Sequence, residues 1–235
     1  MIAWELLGFG DTGYGDTIAM GVVVTVSLAL ATLPIGLALG FFVALAKQST
    51  EWSLRAAADI YTTIFRGLPE LLTLFLIYYG MQIGVQQLIK ALGLDVSFEF
   101  NTFVAGVITL SFVFSSYASE VFLSAFRAIP KGQYEGGFAL GIPKPKVMRL
   151  IILPQLIRIA LPGLANLWML LLKDTALVSA IGLNDIVRET RVAAGSTKEV
   201  FLFSSVSFFL FLVLALLSSI VISRIEAFGK KADTR

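Results

Sequence analysis

The sequence predicts an all-α membrane protein with five transmembrane helices, and three observations carry that reading. Apolar residues make up 57% of the 235-residue chain and charged residues 14%, where soluble domains carry about 25% charge. Four stretches contain no Asp, Glu, Lys or Arg: 17–46, 71–89, 101–119 and 200–223. A fifth, 159–184, is interrupted only by the adjacent pair Lys173 and Asp174. Each is long enough for a helix to cross about 30 Å of hydrocarbon, which takes roughly 20 residues. Helices are required, because an isolated strand would leave backbone groups unpaired in lipid. The third observation is the distribution of Lys and Arg. With the N-terminus outside, segments 47–66, 127–158 and 224–235 hold 13 of them, against 4 in 1–17, 90–101 and 183–200. The positive-inside rule then puts the N-terminus outside and the C-terminus in the cytoplasm.

In chain order, the first span is expected near 17–45. Its apolar run is far longer than the core of a secretory signal, and acidic rather than basic residues precede it. Pro34 predicts a kink that neighbouring helices can absorb. Segment 51–68 mixes Trp52, Leu54, Tyr61 and Phe65 with Glu51, Arg55, Asp59 and Arg66. It reads as a helix at the cytoplasmic interface, with Arg66 as an anchor and Gly67 and Pro69 breaking the helix before the second span, 69–91. The third span falls at 102–126, the fourth at 159–181 and the fifth at 200–223. Between the last two, 182–198 alternates Asp185, Arg188, Glu189 and Arg191 with Ile186, Val187 and Val192, as expected of a helix on the outer surface. No linker or repeat divides the chain, so 1–235 reads as a single domain.

The loop at 127–158 carries its own punctuation. Pro130 and Gly132 stop the third span, and 133–140 can form two helical turns with Glu135 near their positive end. Gly141 suits the left-handed position after a helix. Pro143 and Pro145 start a second helix, expected to run to Leu153, where Pro154 interrupts it. The result is a helix–Gly–helix knuckle offering Tyr134, Phe138 and Leu140. Either it rests on lipid headgroups or it docks a partner.

Charged groups inside the membrane cost on the order of 2.5–3.5 kcal/mol each, so they mark function or helix ties. Glu70, Glu120, Lys173 and Asp174 are the candidates. Lys173 and Asp174 lie about 100° apart on a helix and cannot point the same way. Lys173 either ties helices by pairing with Glu120 or Glu70, or faces a solute carboxylate while the acids face an amine. Thr73, Ser115, Ser116, Asn166 and Thr175 could add neutral hydrogen bonds along a path, though small polar residues also serve as helix–helix packing. Tyr78, Tyr79 and Trp168 are candidate pocket walls. With no Cys and no His, disulfides, thiol nucleophiles, classical triads and Cys- or His-ligated metals are excluded, and no metal site is expected. A net charge of +2 argues against a nucleic-acid partner.

The same loop resembles a known signature. Glu135-Gly136-Gly137, then Gly141, then Ile151-Ile152-Leu153-Pro154 is similar in spacing to the EAA signature of ATP-binding-cassette importer permeases, with Gly136 and Gly137 in place of two alanines. Phe65-Arg66-Gly67-Leu68-Pro69, Leu76-Ile77-Tyr78-Tyr79-Gly80, Tyr117-Ala118-Ser119-Glu120-Val121-Phe122 and Leu172-Lys173-Asp174-Thr175-Ala176-Leu177 resemble segments of the polar amino-acid uptake subfamily. The resemblance covers about 16–226 and is nearest to histidine, basic-amino-acid and opine permeases.

That resemblance implies a type I importer transmembrane domain in the bacterial inner membrane. It implies a cytoplasmic ATPase dimer, a second permease (a sister chain, or a homodimer as the alternative) and a periplasmic solute-binding protein as partners. Gln133, Tyr134, Glu135, Gly136, Gly137, Phe138 and Gly141 would form the helix that couples to the ATPase. The chain lacks G-x-x-x-x-G-K-[ST], so it is not expected to be an enzyme, and ATP and Mg would sit on the ATPase. The competing reading is a self-contained ion-coupled carrier or channel. Such carriers usually show paired repeats and broken helices in one chain, and neither is visible here.

Overall fold

The computed structural model describes residues 5–10, 13–94 and 96–231, and contains no strand among them. The terminal segments behind the orientation count, 1–17 and 224–235, lie partly outside the described residues. The chain runs through α1 (Gly15–Lys47), α2 (Trp52–Gly67), α3 (Glu70–Ala91), α4 (Thr102–Ala128) and α5 (Lys131–Ala139). It continues through α6 (Lys144–Val147), a π turn over Met148–Ile152 and α7 (Leu153–Asp174). A 3₁₀ stretch over Thr175–Ile181, α8 (Ile186–Thr197) and α9 (Val200–Lys231) complete it. Among the described residues, five helical runs are long and apolar enough to cross a membrane: α1, α3, α4, Lys144–Ile181 and Val200–Ala227.

The core forms where α1 lies along α4. α1 buries Gly21, Thr25, Ala29, Thr32, Gly36, Gly40 and Ala44, a stripe of small residues at helical spacing. In a bilayer the lipid tails are as apolar as any side chain, so helices associate through close contact and small residues permit it. The two helices run in the same direction, Gly36 facing Phe114 and Gly40 facing Ala118. Phe41 packs edge-on against Phe122 with ring centroids 5.6 Å apart. α7 runs the opposite way along α4, Gly163 meeting Val121, and Val178 beyond its end meeting Gly106. The C-terminal ends of α1 and α4 and the 127–158 loop therefore share one end of the bundle, and α8 sits at the other.

Pro154 does not interrupt the helix as expected. It falls in the first turn of α7, where the missing N–H is an orphan anyway. The wide π turn just before it keeps the run from Lys144 into the membrane continuous. Pro34 likewise lies within an unbroken α1.

Loop backbone finds side-chain partners. Asn101 caps α4 by accepting from the N–H groups of Phe103 and Val104. Between α3 and α4, the extended chain at 96–100 is held by two glutamines one turn apart. Gln82 accepts from the Phe100 N–H at 2.7 Å and donates to the Phe98 carbonyl, while Gln86 accepts from the Phe98 N–H at 3.0 Å. Asp185 is fully buried and caps α8 by accepting from the Arg188 N–H at 2.9 Å. Its other oxygen, Oδ2, has no hydrogen-bond partner among the described residues. Burial pushes its carboxyl up to about 6, with the cap hydrogen bond acting in the opposite sense.

Candidate functional site

α4 presents Leu110, Val113, Phe114 and Tyr117 along one face, at i, i+3, i+4 and i+7. This face walls a cavity of about 220 Å³ closed by α7 and by the start of α3. Two carboxylates enter it, Glu70 from the first turn of α3 and Asp174 from the last turn of α7. The pairing follows from the chain. The break at Gly67–Pro69 ends α2 with an extended Leu68 and starts α3 with Glu70 aimed inward. Asp174 is the last α-helical residue before the backbone tightens into a 3₁₀ stretch. An otherwise apolar chamber with two acids can hold an ammonium or guanidinium group, since a charge leaving water needs an opposite charge to meet.

One turn further along the α4 face, Glu120 sits in a second, open cavity of about 600 Å³ at the loop end of the bundle. Lys47, the last residue of α1, donates to Glu120 at 2.6 Å and lies 3.2 Å from Asp59 of α2. Arg66, in the last turn of α2, lies 3.3 Å from the same Glu120 oxygen, and its guanidinium stands 5.6 Å from the centre of the Tyr117 ring. Lys47 is buried, its side chain 8% exposed, while Arg66 is 44% exposed. Nearby, the Tyr61 hydroxyl lies 2.6 Å from Ser115 Oγ and 3.0 Å from the Phe112 carbonyl oxygen, fastening α2 to α4. Burial pushes the Tyr61 phenol above its ordinary value, the Ser115 hydrogen bond offsetting part of the rise.

The tie expected between Lys173 and Glu120 or Glu70 does not form. Glu120 belongs to Lys47 and Arg66, two residues at helix ends rather than in a span. Lys173 is exposed, and among the described residues it makes no ion pair within 4.0 Å. It still acts through space on its neighbour Asp174, as does Glu70. Thr73, Ser115, Ser116 and Thr175 are buried, and each hydroxyl donates to a carbonyl of its own helix three or four residues back. Asn166 lies elsewhere, in a shallow depression between α7 and α9 with Met169 and Glu226. Trp168 lines an apolar groove formed by α1, α7 and α9, and Tyr79 is half exposed, so neither walls the acid cavity. Tyr117 and Phe114 do.

At the loop end, α5 and α6 fold into the expected knuckle. Gly141 holds φ +71, the left-handed conformation that ends α5. Gly137 is buried against Val147, and Tyr134 packs on the main core. Gln133 Oε1 accepts from Gln155 at 3.1 Å, joining α5 to α7. Glu135, Phe138 and Leu140 are exposed, Leu140 to 78%. An exposed carboxylate beside two exposed apolar side chains, on a short helix and its C-cap, is an arrangement suited to a protein cleft with a basic rim.

Residues 36–231 match the family described as the binding-protein-dependent transport system inner membrane component. The nopaline transport system permease protein NocQ of Agrobacterium fabrum is 40% identical over 215 residues, covering 91% of each chain. The histidine/lysine/arginine/ornithine transport system permease protein HisQ of Salmonella typhimurium is 38% identical, covering 91% of this chain and 93% of its own. The arginine ABC transporter permease protein ArtQ of Escherichia coli is 38% identical over 90% and 94%. A chain in the crystal structure of an amino acid ABC transporter with histidines superposes with a TM-score of 0.76 at 30% identity, over 91% of this chain and 94% of that one. A chain of the inward-facing MetNI methionine ABC transporter gives a TM-score of 0.73 at 17% identity, over 91% and 96%, a likeness of fold alone.

Proposed function

The chain belongs to the binding-protein-dependent transport system inner membrane components, and from that premise we propose that it is the permease subunit of an ATP-driven importer for a basic amino acid or an opine. The observation that carries the substrate class is the pair Glu70 and Asp174 on one apolar cavity. A cationic side chain or α-amino group would sit between the acids, and Lys173, exposed on another face of the same helix, would attract a carboxylate from outside that cavity. The relatives named for nopaline and for histidine, lysine, arginine and ornithine transport fit that chemistry. Thr73, Ser115, Ser116, Glu120 and Thr175 complete the proposed path, with Glu120 at its inner end, while Asn166, between α7 and α9, lies off it.

The N-terminus lies in the periplasm and the C-terminus in the cytoplasm, the side favoured by the basic segments. ATP hydrolysis resides in a separate ATPase dimer that seats α5 in a cleft. Gln133, Tyr134, Gly136, Gly137 and Gly141 set the shape of that helix, and Glu135 and Phe138 make the contact. A sister permease completes the pathway, and a periplasmic solute-binding protein delivers the substrate near α8. Isolating the tagged chain from its native membranes in mild detergent tests this assembly. Co-purification of an ATPase, a second permease and a solute-binding protein is the expected result. Recovery of the chain alone, under conditions that keep a known importer intact, would overturn it.

A further inference from the structure

Tyr117 walls both cavities, lining the acid chamber on one side and the open vestibule on the other. Arg66 is placed to cover that ring and to reach Glu120 at the same time. The chain between the two spaces is only three residues long, Gly67-Leu68-Pro69, linking Arg66 in the vestibule to Glu70 in the chamber. The α4 face from Leu110 to Glu120 continues without a break past both, about 15 Å of helix at 1.5 Å per residue.

We propose that Arg66, stacked on Tyr117 and paired with Glu120, is the inner gate of the solute path, and that the vestibule is a transient exit subsite for a cationic group. The reading rests on the proposed function, since it takes the acid chamber as the solute site.

Three features fit a gate better than a fixed tie. Glu120 holds two cations of unequal burial, so Lys47 keeps it paired when Arg66 leaves, and no charge is orphaned. The Arg66–Glu120 pair is exposed enough to be weak, and a cation over a ring face is a modest attraction, so release is easy. Finally, Tyr117 and Glu120 offer a departing guanidinium or ammonium the same ring face and carboxylate that Arg66 occupies here. Asp59, paired with Lys47 and 66% exposed, adds a second acid toward the aqueous side. Arg66 therefore acts as a tethered copy of the solute's cationic end, displaced as the solute passes.

The absence of Cys from the chain makes the test direct. Val113→Cys places a thiol in the acid chamber behind Tyr117, and Thr63→Cys places one in the vestibule. Each would be labelled, in the full transporter reconstituted in vesicles without nucleotide, by a charged membrane-impermeant thiol reagent added from the loop side. With Arg66 intact, the thiol at position 63 reacts quickly and the thiol at position 113 slowly. Arg66→Ala or Tyr117→Ala should speed labelling at 113 by about five- to thirtyfold, the factor for losing an exposed pair and a cation–ring contact. Arg66→Lys should keep it slow. Unchanged labelling at 113 in both Ala variants, with 63 reactive throughout, would overturn the gate. Labelling needs no substrate, so failure of the unmodified transporter to take up arginine would count against the amino-acid reading and not against the gate.

Discussion

Gly40→Ala tests the packing that holds the site together. A methyl at position 40 would stand 2.8 Å from Ala118 Cβ, 3.0 Å from the Ser115 carbonyl oxygen and 3.2 Å from the Ser119 N, against the 3.4 Å at which ordinary contact begins. Two of those three neighbours are α4 backbone, so no rotamer change relieves the overlap and α1 must move away as a body. Overpacking of this kind costs about 1–3 kcal/mol, while Gly→Ala inside a helix returns roughly 0.5–1 kcal/mol. The net expectation is a loss of about 1 kcal/mol, within a range of roughly 0–2.5 kcal/mol. At about 2–4 °C per kcal/mol for a chain of this size, thermal unfolding of the purified protein should start a few degrees lower. Gly136→Ala is the matched control, because a Cβ there meets nothing within 4 Å. It should leave the melting temperature unchanged or slightly higher. Equal melting temperatures for the two variants would refute the claim that α1 and α4 are in limiting contact at Gly40.

Further outcomes follow from the same geometry. Gly137→Ala, unlike Gly136→Ala, puts a methyl 2.8 Å from Val147 Cγ2 and should loosen α5 from α6, read as faster proteolysis of the knuckle. The folded state holds the proton of Asp185 up to about pH 6, from an ordinary value of 3.8. Stability should therefore fall as pH rises between those values and level off above about 6, by about 2–3 kcal/mol in all. Asp185→Asn keeps the helix cap and should abolish that slope, raising the melting temperature at pH 7 but not at pH 4. Glu70→Gln and Asp174→Asn should each lower uptake of a cationic solute by about tenfold or more, the scale of losing a buried charge-assisted contact, with expression unaffected. Full uptake by both would remove the acids from the path.

Much of the fold was legible because charge marks the ends of membrane helices. Lys47, Glu70, Lys90 and Glu199 bracket the uncharged runs, and the helices begin or end within a residue of them. The 100° separation of Lys173 and Asp174 correctly implied different environments, one exposed and one in the cavity. Pro154 misled because a proline's effect depends on its register in the helix, and the π turn that accommodates it has no signature in composition. The Lys47–Glu120–Arg66 cluster was missed because Lys47 and Arg66 counted only as interface charge. The available signal was spacing: Tyr117 and Glu120 are one turn apart, extending the 110–113–114–117 face. The small-residue stripe at 21, 25, 29, 36, 40 and 44 is similarly plain once the helix is read as buried rather than merely apolar.

ATP-dependent uptake tests the central claim most directly. The chain, reconstituted in vesicles with the proposed ATPase, second permease and binding protein, should accumulate radiolabelled arginine or nopaline only when ATP is supplied on the loop side. Glu135→Arg should abolish that accumulation while leaving the chain folded, because it reverses the charge that the exposed face of α5 offers the ATPase. Accumulation by the chain alone, driven by a proton or sodium gradient without ATP, would contradict the account.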